Sequence, residues 1–146
     1  MTRINSAIPV KCLTDEHLLA EHREIKRLPY CLRKAIVSGS IDKIPVKFTL
    51  GKGHVLFFLD KMSFVLGRYY EIYYELIHRG FDVQDYSDNW EGIDSKYLNN
   101  HNCNLEEKKL LINRISERII NSKKKCWHYY GKAISKEDAI RLHLNH

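Results

Sequence analysis

The chain has 146 residues and carries 24 Lys and Arg against 18 Asp and Glu, a formal net charge of +6. A chain of this length can close one hydrophobic core without disulfides or a metal, and its positive charge favours an acidic partner such as nucleic acid over a small neutral substrate. The four cysteines form no C-x-x-C pair and no apolar run is long enough to span a bilayer, so we expect a cytoplasmic protein with reduced thiols and no membrane partner.

The N-terminus offers the first candidate for chemistry. The small residue at position 2 favours removal of Met1, which leaves a free α-amino group on Thr2. An α-amine has a reference pKa of about 7.7–8.0, against about 10.4 for lysine, so near neutral pH a large minority of it is unprotonated and nucleophilic. Such an amine can attack a sugar C1′ or an aldehyde and form an imine. On these residues alone, the favoured interpretation is that Thr2 is merely a common second residue.

The first predicted helix begins behind Thr14, an N-cap followed by two acidic residues in the first turn. Its apolar stripe continues to Gly39, and Pro29 lies inside it, where we expect a kink or an interruption. Arg23 and Arg27 lie on the opposite face. Residues 41–50 are predicted to form an irregular connection, and the glycines that follow match no phosphate-binding spacing.

A second helix is predicted from an N-cap at Asp60 to Arg79, with Gly80 after its end. Residues 86–102 are polar and rich in turn formers, which indicates a surface excursion. A third helix is predicted from Leu105 to about residue 121 behind the cap Asn104.

A short terminal helix is predicted near the end of the chain, where Ser135 and Asp138 have the spacing of a capping box. Three principal helices and little strand signal therefore predict an all-α fold. We expect one domain over residues 1–146, in which residues 134–146 form a C-terminal extension.

The basic residues of the first and third helices predict a surface that follows phosphates, although a charged face is often only solvated. Arg114 and Arg118 are four residues apart and therefore share a helix face. Glu24 is a candidate general base, with a surface salt bridge as the alternative. No zinc-ligand spacing is present, so we expect no metal site.

Aromatic residues beside lysines near the C-terminus can stack on bases, and core packing explains them equally well. They are Trp127, Tyr129 and Tyr130, followed by Lys132.

Five ordered motifs together resemble the phage-type pyrimidine-dimer DNA glycosylase family, also called the ultraviolet-damage endonuclease V family. They are Met1-Thr2-Arg3-Ile4-Asn5, then His17-Leu18 with Ala20-Glu21-His22-Arg23-Glu24, Leu50-Gly51-Lys52-Gly53-His54-Val55 with Phe57-Phe58 and Asp60-Lys61, Arg79-Gly80-Phe81, and Trp127-His128-Tyr129-Tyr130-Gly131-Lys132-Ala133. The resemblance spans about residues 1 to 133. It implies a compact all-α fold with the N-terminus threaded between helices, and an enzyme that needs no cofactor.

The resemblance also implies the roles of individual residues. Thr2 matches the nucleophile, through its α-amine, and Glu24 matches the catalytic carboxylate. The residues that match the DNA contacts are Arg3, Arg23, Arg27, Arg114, Arg118, Trp127, Tyr129, Tyr130 and Lys132. The implied activity is excision of ultraviolet-induced pyrimidine dimers from duplex DNA, followed by β-elimination at the abasic site through a Schiff base. We expect a monomer that binds duplex DNA with dimers or abasic sites.

Several residues depart from the family pattern. Glu16 replaces an amide and adds negative charge near the phosphates, and His22 replaces a tyrosine beside the carboxylate, where it introduces a titration near neutrality. Two alternatives stay open from the sequence: a DNA-binding protein without catalysis, and a lyase for abasic sites or oxidised bases.

Overall fold

The computed structural model of the protein describes residues 2–144 and confirms the all-α fold. The predicted removal of Met1 concerns a residue outside that range. In chain order the elements are α1 (Asp15–Ile25), α2 (Arg27–Ser38), α3 (His54–Phe58), α4 (Met62–His78), α5 (Leu105–Asn121), β1 (Trp127–Tyr129), β2 (Lys132–Ile134) and α6 (Lys136–Leu144).

The first predicted helix is divided into α1 and α2 at Lys26, as Pro29 led us to expect. A proline cannot donate to the carbonyl four residues earlier and its ring crowds that carbonyl, so the helix breaks at the end of α1. The Thr14 hydroxyl caps α1 by accepting from the backbone N–H of His17 at 3.1 Å. Gly39, at φ +82°, ends α2 in the left-handed conformation that glycine tolerates best.

The second predicted helix begins one residue later than expected. Its N-cap position is Lys61, not Asp60, and the Asp60 carboxylate accepts from Lys61 Nζ at 2.8 Å. The short helix α3 precedes it and was not predicted, because its five residues are too few to show a periodic pattern. The predicted end is nearly right: α4 stops at His78, and Gly80 follows at φ +91°.

The third helix has the predicted bounds, and the side chain of Asn104 caps it by accepting from the backbone N–H of Glu107 at 2.8 Å. The predicted cap of α6 is also present, since the N–H of Asp138 donates to the Ser135 hydroxyl at 3.1 Å. The face of α6 that carries Ala139 is buried, and α6 packs on α5.

The antiparallel pair β1 and β2 was not predicted. Its register places Trp127 opposite Ile134 and Tyr129 opposite Lys132. The two-residue turn between the strands is Tyr130 at φ +52° and Gly131 at φ +78°, the backbone signs of a type I′ hairpin turn. Strands of three residues are too short to show alternation in a sequence.

The core forms where α1 crosses α4 around the N-terminal segment. Ile4 and Ile8 of that segment are fully buried. They pack with α1 and α4 residues that are equally buried, Leu18, Ile25, Val65 and Ile72. Among the described residues no helix combines the length and apolar character needed to cross a membrane.

Candidate active site

The N-terminal segment, residues 2–8, runs into the core as the resemblance implied. The backbone N–H of Arg3 donates to Glu24 Oε1 at 2.8 Å, and that of Ile4 donates to His54 Nε2 at 3.0 Å. A segment without regular structure must satisfy its backbone polar groups when it is buried, and here side chains from α1 and α3 provide the partners. The first bond places the Glu24 carboxylate at the peptide that joins Thr2 to Arg3.

His54 is held as a neutral acceptor. Burial lowers the pKa of His54 to about 4, and the Arg114 charge lowers it further. Its Nδ1 lies 3.0 Å from the carbonyl oxygen of Thr49, and because a carbonyl only accepts, Nδ1 must carry the hydrogen. In the neutral ring Nε2 then has none and accepts from the N–H of Ile4. The imidazole therefore positions the N-terminal segment and needs no proton exchange to do so.

A buried ion pair anchors the next part of the segment. Arg68 Nε donates to Glu21 Oε2 at 2.8 Å, and Arg68 Nη1 donates to the carbonyl of Ile8 at 2.6 Å. The amide of Asn5 donates to Glu21 Oε1 at 3.1 Å. Glu21 and Arg68 are 1% and 3% exposed, so each charge depends on the other for stabilisation.

Arg114 completes this framework from α5. Its Nη2 donates to the Asn5 Oδ1 at 3.0 Å and to the carbonyl of Ile4 at 3.3 Å. Burial lowers the pKa of Arg114 to about 10. Arg114 was predicted to contact a phosphate, and in the structure its Nη2 holds the N-terminal segment instead.

A cavity of about 550 Å³ opens between α1 and α5 beside this segment. Arg3 and Glu24 line it together with Arg118 from α5. The structure therefore brings together the residue next to the predicted nucleophile, the predicted catalytic carboxylate and a predicted DNA contact.

The arginines Arg3 and Arg118 both line the cavity, and the charge of Arg3 affects the electrostatic environment of Arg118. Burial lowers the pKa of Arg118, and the like charge of Arg3 lowers it further, whereas Glu24 opposes the shift. Because the charge of Arg3 destabilises that of Arg118, binding of an anion beside Arg118 relieves this repulsion. A phosphate is such an anion, and both groups can donate to its oxygens.

His17 lies on the same cavity and was not predicted as a site residue. Its ring stacks on Trp127, with centroids 5.1 Å apart and planes 4° apart. Burial lowers the pKa of His17 to about 4, so its ring is neutral at physiological pH. Trp127 is only 7% exposed and forms part of the cavity wall by this stacking.

Tyr129 and Tyr130 of the hairpin formed by β1 and β2 are hydrogen-bonded to other parts of the fold. Tyr129 donates to the carbonyl of Lys11 at 2.7 Å, and Tyr130 donates to Glu75 Oε2 at 2.6 Å. The Arg79 guanidinium lies 4.8 Å and 4.6 Å from their ring centroids. Both rings are half-buried, so packing against the fold accounts for much of the aromatic character of residues 127–130. Lys132, by contrast, is exposed on β2.

The structure changes the interpretation of two departures from the family pattern. His22 faces Gln84 and the ring of Tyr86 and does not line the cavity, and burial shifts its pKa below the ordinary value for histidine. Glu16 does line the cavity, but it accepts from His128, whose N–H and Nδ1 lie 2.9 Å and 2.7 Å away. Burial opposes the charge of Glu16, and these hydrogen bonds outweigh it and lower the pKa of Glu16.

The remaining predicted DNA contacts, Arg23 and Arg27, are exposed at the end of α1 and the start of α2. Sequence reasoning assigned no role to the residues that hold the N-terminal segment in place: Asn5, Glu21, His54 and Arg68. A charged Arg68 inside the largely apolar helix α4 was the available signal, because such a residue needs a buried acidic partner.

A model of the family described as pyrimidine dimer DNA glycosylase matches residues 1–89, which is more than half of the chain. The match includes the N-terminal segment, α1 and α4, and it ends before α5.

Proposed function

Because this chain belongs to the pyrimidine dimer DNA glycosylase family, we propose that the α-amine of Thr2 is its nucleophile and that Glu24 is its catalytic carboxylate. The family establishes a DNA glycosylase that acts on DNA containing pyrimidine dimers. The further proposal is that the enzyme also nicks the resulting abasic site through a Schiff base, as a lyase.

One observation carries this proposal. Glu24 Oε1 accepts from the N–H of Arg3 at 2.8 Å, so its carboxylate lies one peptide from the amine that loss of Met1 exposes on Thr2. An amine and a carboxylate in contact with one reacting sugar are the two groups that the chemistry requires.

The first step is displacement of the base. The unprotonated Thr2 amine forms a bond to C1′ of the 5′ nucleotide of the dimer, and the glycosidic bond breaks with its electron pair on the base, which takes up a proton from solvent. Positive charge develops on the sugar, and the Glu24 carboxylate stabilises it electrostatically. Opening of the sugar ring and loss of a proton from nitrogen then give the protonated imine.

The second step breaks the strand. Glu24 removes a proton from C2′ of the imine. The electron pair of that C–H bond forms a double bond between C2′ and C3′, and the C3′–oxygen bond breaks with the phosphate as leaving group. Water then hydrolyses the imine and releases the Thr2 amine. No redox partner is needed, because every electron pair stays within the sugar and its leaving groups.

Arg3 and Arg118 are proposed to bind the phosphates beside the lesion, with Arg23 and Arg27 extending the contact along the duplex. A linked dimer distorts the duplex, so opening the DNA there costs less than opening undamaged DNA. Arg114 stays in the proposal mainly as a residue that positions Asn5 and the carbonyl of Ile4.

Borohydride trapping tests the nucleophile. Sodium borohydride reduces an imine, so it should join the protein covalently to ultraviolet-irradiated duplex and to abasic duplex, but not to undamaged duplex. Mass spectrometry should map the bond to the peptide that begins at Thr2, and the mass of the free protein should show that Met1 is absent.

Each other outcome has a distinct meaning. A bond to a lysine such as Lys132 would keep the lyase activity and reject Thr2 as the nucleophile. Trapping on abasic duplex alone would favour an abasic-site lyase. No trapping with either substrate, by protein that lacks Met1, would favour DNA binding without lyase chemistry.

A further inference from the structure

Three side chains with metal-binding atoms meet at the start of α5. His101, Cys103 and Glu107 each offer one ligand atom, and these atoms all lie within 4.8 Å of one another. His101 Nε2 is 3.0 Å from Glu107 Oε2 and 3.1 Å from Oε1. None of the three lines the cavity beside Glu24, so the cluster is separate from the candidate active site.

Packing and capping hold these ligands in place. The His101 ring contacts Phe57 and Phe64 edge-on, at centroid distances of 5.2 Å and 5.3 Å. Glu107 lies in the first turn of α5, where its backbone N–H donates to the cap Asn104. A ligand that is already oriented loses little conformational entropy when it binds.

One of the three side chains is buried and the other two are half-buried. Glu107 is 4% exposed, and its hydrogen-bond partner is His101. Burial and the Glu107 charge raise the pKa of Cys103 to about 11, against a smaller opposing effect of the Ser6 hydroxyl. The Ser6 hydroxyl oxygen is buried and has no hydrogen-bond partner among the described residues.

We propose that His101, Cys103 and Glu107 bind a zinc ion. Imidazole nitrogen, thiolate sulfur and carboxylate oxygen are the three ligand types of zinc sites, whereas calcium and magnesium take oxygen ligands only. Tetrahedral zinc with bonds of about 2.0–2.3 Å needs ligand atoms roughly 3.3–3.7 Å apart. The observed separations run from 3.0 Å up to at most 4.8 Å, so the ligand atoms must shift by about 1 Å to reach this range.

Three protein ligands leave one tetrahedral position open. A cleft of about 280 Å³ lies beside the cluster, and both His101 and Glu107 line it. Water from this cleft can fill the fourth position. The charges also balance, because a thiolate and a carboxylate neutralise a divalent cation in a buried site.

Binding exchanges protons for the metal. The Cys103 thiol loses its proton to solvent as the Cys103–zinc bond forms. The hydrogen bond that His101 Nε2 donates to Glu107 breaks, and the Nε2 proton moves to Nδ1 by exchange with solvent, so that Nε2 and the Glu107 carboxylate can both bind the ion. Zinc affinity should therefore fall as the pH is lowered, with at least one proton released for each ion bound.

The ion would connect two parts of the fold. Cys103 lies just before α5 and Glu107 lies in its first turn, whereas the neighbouring Ser6 belongs to the N-terminal segment. A Cys103 thiolate bound to zinc accepts the Ser6 hydroxyl hydrogen more strongly than a thiol does. Zinc at 100 times its Kd should raise the folding equilibrium constant by about 100-fold.

Cobalt(II) is the test probe, because it takes the same tetrahedral sites and is coloured. The full-length protein, stripped of metal and kept reduced, is titrated with CoCl₂. We expect saturation at one ion per chain, visible bands of tetrahedral cobalt and a near-ultraviolet charge-transfer band from a thiolate ligand. Addition of ZnSO₄ should remove all of these bands, and zinc alone should raise the Tm.

Matched variants identify the ligands. Cys103→Ser should remove the charge-transfer band, whereas Cys126→Ser, which changes an exposed cysteine on the same chain, should keep it. His101→Gln should weaken cobalt binding at least tenfold and serves as the second variant if Cys103→Ser does not fold. Absence of a charge-transfer band in the parent protein, or its loss in Cys126→Ser alone, would overturn the proposal.

Discussion

At the scale of single residues, the proposed chemistry depends on the carboxylate of Glu24. Glu24→Gln retains an oxygen that can accept from the N–H of Arg3, so the local geometry should survive while the negative charge is lost. We expect glycosylase turnover to fall by about 10²–10⁴-fold, the range for general acid–base groups, with duplex affinity kept or increased. Single-turnover cleavage of dimer-containing duplex measures this.

The control for that substitution is Glu117→Gln. Glu117 lines the same cavity from α5, and its side chain is exposed. The two variants lose the same charge, so a fall in both would indicate a general electrostatic effect on the cavity. Parental turnover in Glu24→Gln would show that Glu24 is only a surface acid.

A second residue-scale prediction concerns the buried ion pair. Arg68→Met removes the partner of Glu21 and leaves a carboxylate buried without its cation. We expect a loss of about 3–5 kcal/mol in the free energy of unfolding. Chemical denaturation measures it, provided that the variant folds.

Arg141→Met is the matched control for Arg68→Met. Arg141 pairs with Asp138 at 2.8 Å, but their side chains are 66% and 53% exposed, so we expect a change below about 1 kcal/mol. Similar losses in both variants would contradict the role assigned to Arg68.

At the scale of elements, the hairpin turn and helix α4 respond oppositely to the same change. Gly131 has φ +78°, so Gly131→Ala places a side chain in a left-handed backbone and should destabilise the fold by about 1 kcal/mol. Gly67 is inside α4 with nothing within 4 Å of an added Cβ, so Gly67→Ala should stabilise it by roughly 0.5–1 kcal/mol. Thermal unfolding of both variants gives the signs, and equal signs would contradict the assigned conformations.

The elements also show what a sequence can predict. Three helix starts were predicted correctly from the capping residues Thr14, Asn104 and Ser135, because a cap bonds to a residue only three positions away. The break between α1 and α2 was predicted from Pro29. The three-residue strands lack a readable period. The partners of the N-terminal segment were missed because Ile4 meets His54 and Arg114 across 50 and 110 positions, and only the folded chain shows such contacts.

At the scale of the whole molecule, basic residues should make affinity for DNA depend on salt. Arg114 donates to the N-terminal segment, so four of the predicted phosphate contacts are left for DNA: Arg3, Arg23, Arg27 and Arg118. Four neutralised phosphates predict a slope of roughly −3.6 for log K against log salt concentration on undamaged duplex. Fluorescence anisotropy at several salt concentrations measures the slope, and a value near zero would reject this surface.

The route of the N-terminal segment also has a consequence for translation. The ribosome makes residues 2–8 well before the residues that fix them, which are Glu24, His54, Arg68 and Arg114, and the last of these is made more than a hundred residues later. Contacts so distant in sequence close late in folding. If the Thr2 amine is the nucleophile that we propose, the emerging polypeptide carries it for most of its synthesis without the completed cavity around it, and we expect activity only once α5 has left the ribosome.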